Sequence, residues 1–124
     1  MKEELKTSKA PGAIGPYSQG VKAGNMIFVS GQLPINAESG EMPEDIKAQT
    51  RQSIENIKAV LESAGATLDN VVKTTVFLAD MTLFGEMNEV YAEFFKAIYP
   101  ARAAFAVKEL PKKALVEIEV VACL

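Results

Sequence analysis

The chain holds two arginines, Arg51 and Arg102, among many lysines. Arg102 lies in PARAAFA at 100–106, between a proline and a run of small and apolar residues. Its neighbours at the alternate positions of a strand, Ala104 and Ala106, are small and leave room around a guanidinium. Arginine grips a planar carboxylate through two parallel hydrogen bonds, a geometry lysine does not copy. Arg102 therefore reads either as an anchor for a carboxylate-bearing small molecule or as half of a structural ion pair. A glutamate of a neighbouring subunit is one partner for such a pair.

Glu117 is the second candidate. A carboxylate on a partly buried face has a raised pKa and can hold or deprotonate a water. An interface salt bridge is its other reading. Tyr17 follows Gly15-Pro16, so its phenol either closes over a pocket or packs on the core from a turn. Ser30-Gly31 offers backbone groups to a ligand, or is a bulge or strand end. Asn88 follows an apolar helical position and is otherwise a solvated amide. Lys73, inside an apolar run, suits a Schiff base only if desolvated. A head group reaching solvent is its simpler reading. Cys123 has no histidine to activate it and reads as an inert thiol.

Composition removes several classes of chemistry. The chain has 124 residues, no histidine, no tryptophan and one cysteine. Neither an intrachain disulfide nor a Cys/His metal site is expected. The formal net charge of −3 and the lack of a basic cluster argue against nucleic acid as a partner. Lys112-Lys113 reads as a solvated turn. MKEELKTSKAPG carries no apolar leader, and no run is long enough to span a membrane. A single cytoplasmic domain over 1–124 is the expectation.

Eight elements must position these groups. A short strand and a loop with turn signals at Pro11-Gly12 and Gly15-Pro16 occupy the first twenty or so residues. Val21 and Met26–Val29 flank Gly24-Asn25 as a hairpin, with Ser30-Gly31 closing the second strand. Pro34–Pro43 is a polar loop. Ile46, Thr50, Ile54, Ile57, Leu61 and Ala64 recur at helical spacing over 44–64, with Gly65 behind them. Val71–Ala79 is a β-branched strand. Thr82 is the expected N-cap of a second helix, with Phe84, Met87, Tyr91, Phe94 and Ile98 on one face and Pro100 as its stop. Residues 101–108 and 115–123 are the last strands, joined by a turn at 110–113.

The order β-β-β-α-β-α-β-β predicts an α+β fold, a mixed sheet with both helices on one face. In the last strand Val116, Ile118, Val120 and Ala122 turn toward the helices. Leu115, Glu117, Glu119, Val121 and Cys123 turn away. That second face is mixed, which predicts either burial against another subunit, with Glu117 and Glu119 near the interface, or two glutamates that are simply solvated. If the last two strands form a hairpin, Arg102 and Glu117 lie roughly 13 Å apart along one sheet. No small substrate would then touch both within one chain.

Together these segments resemble the RidA (YjgF) family of enamine/imine deaminases. The matching stretches are GPYSQG at 15–20, SGQLP at 30–34, AQTRQSIENIKAVLESAGA at 48–66, VVKTTVFLADM at 71–81, PAR at 100–102 and LPKKALVEIEV at 110–120. The resemblance implies a chorismate-mutase-like fold, a homotrimer with a central barrel, and sites between subunits. It implies that Arg102 grips a substrate carboxylate and that Glu117 positions the attacking water. Tyr17, Ser30, Gly31, Phe84 and Asn88 fall on pocket positions. Ala104 stands where many relatives carry cysteine. The resemblance implies that the backbone N–H there serves more than the sulfur, so deamination is expected to survive while any role of the thiol is not. The implied substrates are small 2-imino acids, released as 2-keto acids, with no cofactor. A keto-acid-binding regulator of the same fold is the alternative, and an RNA-acting protein is a weaker one.

Overall fold

The β-branched run VVKTTVFL forms a strand with a neighbour on each side, and the sheet is built around such runs. The computed structural model describes residues 1–124. In chain order the elements are β1 (Lys2–Leu5), β2 (Gly20–Ala23), β3 (Met26–Gln32), α1 (Ile46–Ser63), β4 (Val71–Leu78), α2 (Phe84–Phe94), β5 (Ala101–Ala106) and β6 (Val116–Cys123). The expected order is the one found. The strands make one six-stranded mixed sheet in the order β1-β2-β3-β6-β4-β5. Only β4 and β5 run parallel. Gly24-Asn25 turns the β2–β3 hairpin, with Ala23 opposite Met26.

Alternation decides which face the helices cover. Val116, Ile118, Val120 and Ala122 are buried, and so are Val76 and Leu78 of β4 and Ile27 and Val29 of β3. Against them α1 buries Ile46, Ile54, Ile57, Val60 and Leu61. Each such side chain stabilises the fold by about 1.5–3 kcal/mol when fully withdrawn from water. The Asp45 carboxylate caps α1 by accepting from the Ala48 N–H at 3.1 Å, and Gly65 leaves it with a left-handed φ of 77°. The other face stays mixed, as expected. Phe28, Val72 and Phe105 are nearly half exposed there, beside Glu117, Val121 and Cys123.

Four expectations are corrected. The last two strands are not a hairpin. β5 pairs in parallel with β4, because α2 serves as the crossover between them, and the chain then returns to lay β6 on the far side of β4. The second helix ends at Phe94, well before Pro100. Phe95 turns extended (φ −105°, ψ 127°) and is buried against the Tyr91 ring, 4.5 Å between centroids. Burying that ring takes the backbone out of the helix, and Ile98 is left fully exposed. Nor does Thr82 cap this helix. Asp80 accepts from the Thr82 N–H at 2.8 Å and caps a short 3₁₀ turn, Met81–Leu83, that leads into it. Finally, Ser30-Gly31 does not close its strand. β3 runs on to Gln32, with a break in register between Val29 and Gln32, so the pair sits in a bulge.

Candidate functional site

In the parallel register Arg102 lies opposite Thr74. Thr74 is buried under α2, so Arg102 points to the helix face at the sheet's edge. Three side chains of α2 receive it. The guanidinium carbon stands 4.8 Å from the Tyr91 ring centroid and 5.4 Å from that of Phe84. Nη1 donates to Asn88 Oδ1 at 2.6 Å. Phe84, Asn88 and Tyr91 are spaced four and three residues apart, which stacks them on one helix face. Ala104 follows on the same side of β5, packed against the core. An open cleft of about 360 Å³ lies beside the group, lined also by Tyr99 and Pro100.

Within its own chain Arg102 meets no carboxylate. The ion pairs are Lys47–Glu89 at 2.8 Å and Arg51–Glu93 at 3.0 Å, both linking α1 to α2. An intrachain ion pair therefore does not account for the guanidinium. Its remaining N–H groups are unpaired at the cleft.

Glu117 lies on the other side of the sheet. It faces Phe77 across the β4–β6 ladder and opens into a second cleft of about 1000 Å³ with Tyr17, Ser30 and Gly31. Burial, and after it the charge of Glu119, pushes the Glu117 carboxyl above its ordinary range. A Cβ at Gly31 would overlap that carboxylate, so a larger residue there would push the Glu117 side chain out of its place, through space and not through φ. The Ser30 hydroxyl donates to the Ser18 carbonyl at 2.6 Å, and the Ser30 N–H to the Gln19 carbonyl at 2.9 Å. Gln19 is buried and holds the loop that carries Tyr17. Its amide accepts from the Thr7 N–H at 2.7 Å and donates to the Pro11 carbonyl at 2.8 Å. Tyr17 itself is exposed.

The sequence candidates thus fall into two groups. Phe84, Asn88, Arg102 and Ala104 gather on the helix face. Tyr17, Ser30, Gly31 and Glu117 gather on the opposite face. The expected separation along one sheet understated the matter, because the absent hairpin had placed both residues on one face. Through β4 they are offset by about 10 Å along the strand and about 10 Å across it, with the sheet between them. Lys73 is exposed and lacks the desolvated setting of a Schiff-base lysine. Cys123 is half-buried on the outer face, where the Asn25 amide donates to its sulfur at 3.5 Å. Sequence reasoning took Tyr91 for core alone and passed over Thr74. The i, i+3 spacing from Asn88 could have marked Tyr91, whereas Thr74 emerges only from the register.

A family model described as Endoribonuclease L-PSP matches residues 7–124. A RutC family protein of Pyrococcus horikoshii is 56% identical over 123 residues, 98% of each chain. The 2-iminobutanoate/2-iminopropanoate deaminase of Escherichia coli K12 is 48% identical over 125 residues, again 98% of each. Among solved structures, E. coli TdcF with bound serine superposes with a TM-score of 0.95 at 45% identity, covering 98% of both chains. RidA from an Antarctic Psychrobacter gives 0.95 at 47%, covering 98% of this chain and 99% of that one.

Proposed function

The chain belongs to the RidA (YjgF) family, and from that premise we propose that it hydrolyses small 2-enamines and 2-imines, such as 2-aminoacrylate/2-iminopropanoate and 2-iminobutanoate, to 2-keto acids and ammonia. The observation that carries the proposal is Arg102. It is fixed by Asn88 beside two aromatic rings, open to a cleft, and without a carboxylate partner. Such a group suits a ligand carboxylate in a bidentate pair. The serine in the related TdcF structure is a ligand of that class. Glu117 supplies what the anchor lacks, a carboxylate of raised proton affinity in a separate cleft.

A single chain does not bring the two together, so the working unit is taken to be a homotrimer with each site shared between neighbours. Arg102 of one subunit, with the Ala104 N–H, holds the carboxylate. Glu117 of the next holds a water and takes its proton as the oxygen bonds to the imine carbon. The carbinolamine then receives a proton on nitrogen and expels ammonia, and the C–O bond becomes the keto group. A protonated imine is already a strong electrophile. Positioning and one proton carrier are enough, and the reaction calls for no cofactor. The nuclease suggested by the family description gains no support from a chain of net charge −3 without histidine.

Imine lifetime tests this reading. 2-Iminobutanoate is generated with a threonine dehydratase and captured by semicarbazide. The protein is expected to lower the captured imine, and Arg102→Ala is expected not to. No lowering by the folded, assembled wild type would sink the deaminase reading, and tight keto-acid binding without turnover would replace it with a ligand sensor.

A further inference from the structure

Arg102 is a long, exposed side chain on an edge strand. One hydrogen bond to Asn88 fixes one nitrogen and leaves the guanidinium free to swing about that contact. A ring face removes this freedom, provided that the ring is itself held. Tyr91 is held on several sides. It is only 6% exposed, and Phe95 packs on it at 4.5 Å and 32°. Its hydroxyl pairs with Thr74 Oγ1 at 2.8 Å in a buried bond. A buried tyrosine needs such a partner, since a phenol without one is costly where phenylalanine is not. That partner, Thr74, is the β4 residue directly opposite Arg102. The arginine and the residue that pins its platform are thus neighbours in register.

Resting on the carboxylate-anchor reading above, we infer that Tyr91, pinned by Thr74, is a positioning residue that holds the Arg102 guanidinium plane for the ligand carboxylate. Asn88 fixes the nitrogen and Tyr91 fixes the plane. The remaining N–H groups keep one orientation toward the cleft before any ligand arrives, which lowers the ordering cost of binding. Thr74 touches no ligand and acts only through the ring.

The test is calorimetric, with 2-oxobutanoate and 2-oxobutanamide as probes on the assembled protein. Tyr91→Leu is expected to lower the preference for carboxylate over amide about tenfold, the scale of a partly desolvated stacking contact. A generally loosened pocket would weaken both probes alike and would overturn the proposal. Tyr91→Phe and Thr74→Val each delete the same bond, so each is expected to lose about threefold in carboxylate affinity. The double variant should lose no more than either single one. If Tyr91→Leu does not fold, this cycle decides, and additive losses or none would overturn the proposal. If the preference survives in every Tyr91 and Thr74 variant but falls in Arg102→Ala, the anchor stands and Tyr91 is ordinary core. If it survives in Arg102→Ala as well, the anchor reading fails with it.

Discussion

Arg102→Lys is expected to lower kcat/KM for a 2-imino acid by roughly 30-fold, although the charge is unchanged. The figure follows from losing one charge-assisted hydrogen bond, about 2 kcal/mol. An ammonium is a compact, strongly hydrated point charge. It cannot present two parallel N–H groups to a carboxylate, and it lacks the planar face that a guanidinium can set against an aromatic ring. Arg102 is exposed at the sheet's edge and bonds only Asn88. Thermal stability should therefore stay within the range of a surface substitution, about ±0.5 kcal/mol. Steady-state kinetics beside a melting curve separates the two effects. Near-full turnover in the lysine variant would show that charge alone suffices and that the fork is not used.

Glu117→Gln should reduce kcat by at least about 100-fold, the lower range for a positioned general base, with assembly intact. A protonated carboxyl cannot take the water's proton, so wild-type activity should rise with pH through a midpoint above the ordinary carboxylate value of 4.5. The shift comes first from burial and then from Glu119. Stability follows the opposite sign. A carboxyl whose folded pKa is raised favours folding only where it is protonated. That contribution is present below 4.5 and is lost as pH rises through the raised value. At neutral pH the ionised Glu117 works against the fold, and glutamine, which carries no charge, should melt no lower than wild type. A pH–rate profile and a melting curve at pH 7 check both. Loss of the oligomer in place of turnover would make Glu117 an interface residue and remove it from the chemistry.

The elements were legible where local physics decides them. Period-two burial in β6, the Gly24-Asn25 turn and the apolar stripe of α1 stand in the structure as the pattern implies. So does the mixed outer face. What stayed illegible depends on long-range choices. Nothing local tells β5 to pair in parallel with β4, yet that choice sends Arg102 to the helix face. Ile98 continues a helical stripe, but burying Phe95 outweighs it. Asp80 and Thr82 are both good caps, and only the turn geometry selects Asp80. Arg102, Glu117, Asn88 and Phe84 were nameable from residue type and family resemblance. Their division between two faces was not, because it rests on the strand order.

That division has a consequence for inheritance. A chain lacking Arg102 still offers an intact Glu117 cleft, and a chain lacking Glu117 still offers an intact anchor. If the active unit joins one face of each, two defective alleles can rescue one another when their products co-assemble. Mixed subunits of Arg102→Ala and Glu117→Gln, refolded together, would then regain turnover that neither has alone. Silence in a mixture shown to co-assemble would mean that Arg102 and Glu117 do not serve one shared site.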